Sequence, residues 1–358
     1  MKKNVLVIAG LAVLSTNAFA SKARMEALGQ SSTRGSEYLS DSRNIFRNPA
    51  LLNQTKNYIV TEWGTSAAAD STTAPRAEGG FFREMGSFNY GLYLGNNSDK
   101  SEANFMDQDN ALDLFLSGDM GVQWGAKLHY ANAKDESGAF NKKNSAFGLG
   151  LGLISGEAEG YLNLDLADKS EGGAAAADQW KLKPSYIVGG SYKWSSVTFF
   201  ASYEARKYDT TISSTTTTKK SSEIVVGAGR VHEINPTARV LTDAKLSLVD
   251  DTNITATGKT KTTSLPVTLG FEADATSWLV VRGNVHQNVF LGETKNVSGK
   301  KTTTPNSTTV DAGATLNFGK LKVDGSVGTT GTTGTAASKT GVLSTNNMLT
   351  RVGVSYWF

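Results

Sequence analysis

Few side chains of this chain have the types and spacing that catalysis or metal binding requires. The three histidines, His129, His232 and His286, lie far apart, and none belongs to the H-E-x-x-H pattern in which two histidines on one helix face bind zinc. The chain has no cysteine, which removes thiolate nucleophiles and cysteine-ligated metals, and no G-x-S-x-G sequence that places a nucleophilic serine at a tight turn. The sequence therefore predicts no catalytic residue, no metal site and no cofactor.

The charged and polar side chains instead recur at every second position, opposite apolar ones. In residues 120–130, Lys127 and His129 alternate with Trp124 and Leu128. A period of two predicts a β-strand with one apolar and one polar face. The run has about eleven residues, the length that a tilted strand needs to cross a bilayer. The sequence thus predicts a strand that meets water on one face and hydrocarbon on the other.

The same unit repeats along the chain from Lys56 onward. An alternating run over residues 112–117 precedes the first one across a break at Gly118-Asp119, which predicts a β-hairpin. We count about sixteen strands, or about fourteen if the doubtful strand at Phe81 is not counted with its partner; bacterial single-chain barrels have even numbers. Short connections are predicted at Gly118, Ser155, Ser195, Asn235, Ala275 and Gly319, with longer Thr/Ser/Lys-rich connections between them that include residues 132–143, 209–222 and 330–345.

The N-terminus indicates export. Lys2-Lys3 precede an apolar run over residues 5–14, and Ala18-Phe19-Ala20 fits an A-x-A cleavage site, so residues 1–20 are predicted to be a signal peptide and Ser21 the mature start. The alternative of an uncleaved anchor is disfavoured because the apolar run is short for a membrane span. No later run is long enough for a transmembrane helix, but a closed barrel also satisfies every backbone group within a membrane.

These features together predict an all-β protein: a transmembrane antiparallel up-and-down β-barrel over residues 55–358, preceded by a segment over residues 21–54. A soluble barrel need not alternate short turns with long loops, and its outer face would be polar. A β-propeller lacks support because no blade motif recurs. In the last strand, residues 348–358, apolar residues alternate up to Tyr356 and Phe358, which resembles the C-terminal signal that the outer-membrane assembly machinery recognises.

The predicted inner face is charged, which favours an aqueous channel over a dry core. Both signs of charge are present, so we expect at most a weak ion preference. By their register, the residues predicted to face the lumen and line a pore are Lys127, His129, Asp165, Lys183, Glu204, Arg206, Arg239, Asp243, Lys245, Arg282, His286, Asp311, Asp324 and Arg351. The alternating glycines of residues 148–152 are not followed by a helix, so we interpret them as a strand that lets a plug or loop backbone come close.

Residues 21–54 show no strand alternation and predict either a periplasmic lead or a plug in the lumen. The mature start at residues 21–29, together with Asp41-Ser42-Arg43-Asn44 and Asn48-Pro49-Ala50, resembles the major porin-like outer-membrane proteins of predatory bacteria. Asn48-Pro49-Ala50-Leu51 ahead of the first strand is also similar to the N-terminal hatch of long-chain fatty-acid transporters. The second resemblance implies that Asn48, Pro49 and Ala50 belong to a plug.

The leading functional hypothesis is a porin-like channel for passive diffusion of small hydrophilic solutes across the outer membrane. One alternative is a hatch-gated importer of hydrophobic compounds, which predicts an apolar lumen pocket near Asn48-Pro49-Ala50. Another is a structural or adhesive surface barrel. A surface protease that uses Asp250-Asp251 in a predicted external loop is disfavoured, since no histidine is adjacent.

The predicted partners are those of an outer-membrane barrel. They are membrane lipid, lipopolysaccharide phosphates at Lys219-Lys220 and Lys300-Lys301, and the assembly machinery through Tyr356 and Phe358. A homo-oligomer is compatible with the apolar outer face. A net charge of +3 gives no electrostatic basis for nucleic-acid binding.

Overall fold

A computed structural model of the chain describes residues 21–64, 77–98, 105–137, 141–173, 175–253, 258–295, 299–303, 308–329 and 348–358. The predicted signal peptide and the predicted connection at residues 330–345 lie outside these ranges. The strands are β1 (Tyr58–Trp63), β2 (Ala77–Met85), β3 (Phe88–Leu94), β4 (Leu112–Asp119), β5 (Gln123–Asp135), β6 (Lys142–Ser155), β7 (Ala158–Glu171), β8 (Gln179–Trp194), β9 (Val197–Ile212), β10 (Thr215–Asn235), β11 (Ala238–Asn253), β12 (Gly258–Asp274), β13 (Leu279–Lys295), β14 (Lys301–Thr303), β15 (Thr309–Phe318), β16 (Leu321–Thr329) and β17 (Met348–Trp357).

All strands belong to one antiparallel sheet that closes on itself. Each strand pairs with its neighbours in the chain, and β1 pairs with β17 in a register that places Tyr58 opposite Trp357. The three residues of β14 pair with the same strand as β15, so sixteen strands surround the lumen. This closed barrel confirms the predicted fold class, and closure leaves no unpaired sheet edge. Across the described residues no helix is both long and apolar enough to cross a membrane.

The exterior of the barrel is apolar. Outward side chains such as Leu151 and Phe271 are about half exposed, at 50% and 48%, whereas their inward neighbours are buried. Large aromatic residues ring the barrel next to the short turns, as in the interfacial girdles of membrane barrels. The exposed members of this ring are Phe88, Trp194, Phe199, Trp278, Phe318 and Phe358. The apolar exterior and the aromatic ring identify the barrel as transmembrane.

The two ends of the barrel differ, as predicted from the connection lengths. The predicted turns after Ser155, Asn235 and Phe318 are confirmed, and Ser195-Ser196 joins β8 to β9. The chain termini of the barrel meet at the same end, where the amide of Phe358 donates to the carbonyl of Asn57. We call this the short-turn end, and the opposite one the long-connection end.

Three predicted connections were wrong. The break predicted at residues 118–119 is strand, and the turn is formed by residues 120–122. Residues 209–222 form the paired ends of β9 and β10 around a two-residue turn, which places Lys219-Lys220 in a strand, and Asp250-Asp251 belongs to β11. The polar Thr/Ser/Lys composition led to the wrong prediction of a loop. Strands that extend beyond the membrane need no apolar face, so they lack the alternation that indicates a strand. Strands β8–β13 therefore have 16 to 21 residues, whereas β1–β4 have 6 to 9.

Residues 21–55, which we call the luminal segment, lie inside the barrel. The segment contains the helix α1 (Lys22–Ala27) and two 3-10 helices, η1 (Ser42–Phe46) and η2 (Pro49–Asn53). Helix α1 contacts β13 and β15–β17, whereas η2 contacts β3–β6. Most side chains of the segment are buried. The barrel interior is thus partly filled by the chain that precedes its first strand.

Candidate functional site

The second half of the luminal segment, residues 42–55, packs against aromatic side chains of the wall. Phe46 contacts Tyr93 and Phe115 edge to face, with ring centroids 4.9 Å and 5.4 Å apart. Leu51 and Leu52 belong to the same buried cluster. The turn between η1 and η2 is set locally, because Asn48 caps η2 by accepting from the amide of Ala50 at 3.1 Å and Pro49 follows at the first helical position.

Two wall glycines provide the space for Asn48-Pro49-Ala50. A Cβ at Gly125 would lie 2.3 Å from the Ala50 nitrogen and from the Pro49 carbonyl carbon, and one at Gly152 would lie 1.8 Å from Asn48 Oδ1. Any side chain at either position would displace the segment. Gly152 ends the alternating glycine run of the sequence, which lets a backbone approach as predicted.

The first half of the luminal segment, residues 21–41, is held by buried ion pairs. Arg24 donates to Asp41 Oδ2 at 2.8 Å and to Glu272 Oε2 at 2.9 Å. Arg282 pairs with the same oxygen of Glu272 at 3.0 Å and with Asp324 at 3.1 Å. The wall charges Arg282 and Asp324 face the lumen, but they are buried under the segment and do not line an open bore.

Burial perturbs the titration of the charged groups of this half. Desolvation raises the pKa of Asp41 to about 7, although Arg24 and the Arg43 amide favour its ionised form. Desolvation also lowers the pKa of Lys22 to about 8, although Glu78 and Glu62 oppose the shift. The attachment of residues 21–41 therefore depends on buried charges that exchange protons close to neutral pH.

The other predicted lumen residues of β11–β17 also face inward, and two of them, Asp243 and Arg351, contact this half. Arg239 donates to Glu272 at 3.0 Å, Asp243 accepts from Tyr38 at 2.8 Å, and Arg351 pairs with Glu26 at 2.6 Å. The remaining contacts are those of Lys245 with Asp243 at 3.9 Å, His286 with Thr268 at 3.0 Å and Asp311 with Asn284 at 3.0 Å.

The wall formed by β5–β9 encloses a polar cavity on the long-connection side of the luminal segment. We call it the outer cavity; its volume is about 370 Å³. Phe46 and Arg34 of the segment and Asn96 of the β3–β4 connection complete its lining. Five residues that the sequence predicted to face the lumen line it together: Lys127, His129, Asp165, Glu204 and Arg206.

Most charged groups of the outer cavity already have protein partners. His129 contacts Asp113 through Nδ1 at 2.9 Å and Gln108 through Nε2 at 3.1 Å. Glu204 pairs with Arg34 at 2.9 Å, and Lys127 donates to the Phe46 carbonyl oxygen at 3.2 Å. These contacts fix the positions of the groups around the cavity and tie its lining to the luminal segment.

A second polar cavity, the inner cavity, lies on the short-turn side and has a volume of about 320 Å³. It is lined by Glu37 and Arg47 of the segment and by Glu159 and Lys193 of the wall. Tyr161 separates the two cavities. Its hydroxyl donates to Glu37 at 2.9 Å, and the Arg47 guanidinium lies 5.7 Å from its ring centroid.

The prediction that Lys183 faces the lumen was wrong. A β-bulge places Pro184 and Ser185 opposite a single residue of β9, so the alternation reverses there. Lys183 lies opposite Lys207, next to the lumen-facing Arg206, and pairs with Asp209 at 2.8 Å. Because of the inserted residue, positions that face the lumen on one side of the bulge correspond to positions that face outward on the other side. Nothing in the composition marks the inserted residue.

The sequence analysis missed the residues of the luminal segment that complete the site. Arg34, Glu37 and Arg47 meet the wall at Glu204, Tyr161 and Glu159. Their partners are more than a hundred positions away in the chain, so no local spacing indicates them. The only available signal was the number of charged residues in a segment without strand alternation.

A closed barrel with an apolar exterior and a polar, charged interior defines a transmembrane β-barrel of the kind found in bacterial outer membranes. No family model matches the chain, and no curated protein is similar to it in sequence. Among solved structures, it is similar to the toluene transporter TbuX of Ralstonia pickettii, with 10% identity, coverage of 95% of this chain and 98% of that chain, and a TM-score of 0.40.

Two further solved structures are similar to the chain at the same low level. The toluene transporter TodX of P. putida has 12% identity over 91% of this chain and 96% of its own, with a TM-score of 0.39. A variant of the Rhodopseudomonas blastica porin has 14% identity over 84% of this chain and 99% of its own, with a TM-score of 0.33.

Proposed function

We propose that the protein is an outer-membrane channel for passive diffusion of small hydrophilic solutes, narrowed by its luminal segment. The observation that carries this proposal is the pair of polar cavities on opposite sides of the segment. They share the wall formed by β7–β9 and are separated mainly by the contact between Tyr161 and Glu37. The inner cavity opens toward the periplasm if the short turns have the usual orientation of bacterial barrels.

The proposed path follows the polar side of the lumen and avoids the packed side. Along β1–β4 and β6 the segment and the wall form an apolar cluster around Phe46 and Leu52. Along β7–β9 the segment meets the wall through the charged groups of Arg34, Glu37 and Arg47. Their wall partners are Glu204, the hydroxyl of Tyr161 and Glu159, respectively. Contacts of this kind exchange with water more easily than a close-packed core, so a small polar solute meets its lowest barrier there.

The alternative of a hydrophobic importer requires an apolar pocket near Asn48-Pro49-Ala50. In the described part of the chain, the space beside the wall at this point is occupied. The apolar side chains of the segment fill it, together with the segment backbone that contacts Gly125 and Gly152. The two cavities of the lumen are lined mostly by polar groups. The polar lining favours hydrophilic solutes.

Planar-bilayer recording of the purified full-length protein tests the proposal. We expect a stable single-channel conductance, and a larger conductance in Tyr161→Ala, because that change removes the ring between the two cavities. Tyr186→Ala is the matched control, since Tyr186 faces outward with 39% exposure and touches neither cavity. No conductance in either wild type or Tyr161→Ala, with correctly folded barrels, contradicts the channel. An equal change in both variants contradicts the proposed path.

A further inference from the structure

The outer cavity contains one carboxylate and one guanidinium for which the described part of the chain provides no partner. Asp165 on β7 and Arg206 on β9 both line it. Among the described residues neither forms a hydrogen bond or an ion pair within 4.0 Å, and Arg206 Nε is buried without an acceptor. The other charged groups of the cavity, by contrast, have partners in the wall or in the luminal segment. A buried guanidinium nitrogen without a protein acceptor can bind a water molecule or a ligand.

Asp165 and Arg206 are close to each other without touching. The charges of Arg206 and Lys127 both act on the Asp165 carboxylate, yet no nitrogen of either lies within 4.0 Å of it. A gap of this kind between opposite charges leaves room for a ligand that carries both signs. A purely anionic or purely cationic solute can satisfy only one of the two groups.

We infer that the outer cavity binds small zwitterions of the α-amino acid class on their way through the channel. The solute carboxylate accepts hydrogen bonds from Arg206, and the solute ammonium group donates to Asp165. Guanidinium groups suit carboxylates because their donors match the two oxygens. A cavity of about 370 Å³ has room for such a solute. This inference rests on the proposed channel function and specifies the solute class that the channel favours.

Four solutes of equal size and shape separate the contributions of the two charges. Alanine carries both charges, lactate only the carboxylate, alaninamide only the ammonium group, and lactamide neither. Their initial uptake rates are measured in proteoliposomes that contain the full-length protein. We expect alanine uptake to saturate and, at low concentration, to exceed lactamide uptake by about two- to fivefold, the effect of an ion pair in a hydrated site.

Charge-neutralising variants then assign each charge to its residue. Arg206→Gln is expected to slow alanine and lactate while leaving alaninamide unaffected or faster. Asp165→Asn is expected to slow alanine and alaninamide while leaving lactate unaffected or faster. Lys207→Gln is the matched control, because Lys207 follows Arg206 on the same strand and faces outward; all four rates should equal those of wild type. Heat-modifiable electrophoretic mobility verifies that each barrel is folded.

The outcomes distinguish this inference from the channel proposal. If lactamide does not cross, the channel proposal fails and the inference with it. If lactamide crosses but alanine uptake neither saturates nor exceeds it, the channel stands and the inference is overturned. The inference is also overturned if the two variants change all four rates by the same factor, because this indicates a change in pore width rather than in charge recognition.

Discussion

Residues 21–41 and residues 42–55 of the luminal segment lie against different walls of the same barrel, and different forces hold them. The first half is held by a network of buried ion pairs centred on Arg24 and Glu272. The second half is held by close packing of Phe46, Leu51 and Leu52 and by direct backbone contact with two glycines. One short segment thus combines an attachment centred on buried ion pairs with one in which close packing dominates and the ion pairs of Arg43 and Arg47 contribute.

The difference shows why a membrane barrel can place many charges in its lumen without forming a wide pore. Buried ion pairs contribute little net stability, because desolvation offsets most of their attraction, but removing one partner leaves a costly unpaired charge. The charges of β11–β17 therefore specify where α1 lies. Those of β5–β9 meet a cavity instead, and two of them, Asp165 and Arg206, have no partner among the described residues.

The chain has no cysteine, so a single introduced thiol reports on each half separately. Leu39→Cys reports on the first half and Thr55→Cys on the second, since both side chains are buried. Labelling by a membrane-impermeant maleimide then measures how often each half leaves the wall.

Arg24→Met should release the first half. It leaves Asp41 without its cation and Glu272 with one buried partner fewer, at a cost of about 3–5 kcal/mol for a broken buried pair. We expect labelling at Leu39→Cys to rise on the order of a hundredfold, with little change at Thr55→Cys. Arg34→Met is the control, because its pair with Glu204 is exposed and contributes less than about 1 kcal/mol. Equal acceleration at both thiols would show that the halves move as one unit.

Gly125→Ala should affect the second half. The added methyl group lies 2.3 Å from the Ala50 nitrogen, and relieving such an overlap costs about 1–3 kcal/mol. Labelling at Thr55→Cys is expected to rise about tenfold, while Leu39→Cys keeps its rate. Gly160→Ala is the matched control, since no atom lies within 4 Å of its added Cβ. If Gly125→Ala and Gly160→Ala give the same labelling rate, Gly125 does not provide the space for the segment.

A change in pH should affect mainly the first half, and by the smallest amount, because a proton is exchanged and no packing is lost. The pKa of Asp41 is raised from 3.8 to about 7 by burial, so the docked state binds more protons than the released state in that interval. Stability of docking therefore falls as pH rises through it. Burial raises the pKa of Glu26 as well, which acts in the same direction. The protonation of Lys22 differs between the docked and the released state only above about pH 8.

Labelling at Leu39→Cys, normalised to an exposed thiol at Ser196→Cys, should accordingly be slower near pH 5 than at about pH 8. Asp41→Asn should weaken this dependence, and Thr55→Cys should show a weaker one than Leu39→Cys. Equal normalised labelling at the two pH values would mean that Asp41 is ionised throughout and that the Arg24 pair controls docking by itself.

The sequence predicted the barrel because strand alternation is a local property. In residues 120–130 the inward and outward faces are already separated by the period of two, and the structure places Lys127 and His129 in the lumen. The even strand number and the two kinds of connection followed from the same pattern. The prediction was wrong where locality fails: at Lys183, a bulge reverses the faces, and in residues 209–222, strands leave the membrane and lose their apolar side.

The amino-acid sequence alone specifies a closed barrel that is apolar outside and polar inside, since the alternation within each strand distinguishes the side that meets lipid. It did not determine where residues 21–55 lie or which lumen charges they neutralise. Arg24 and Glu272 are 248 positions apart, and Tyr161 and Glu37 are 124 apart. Only closure of the barrel brings such groups together, and only the filled lumen shows that Asp165 and Arg206 are left for a solute.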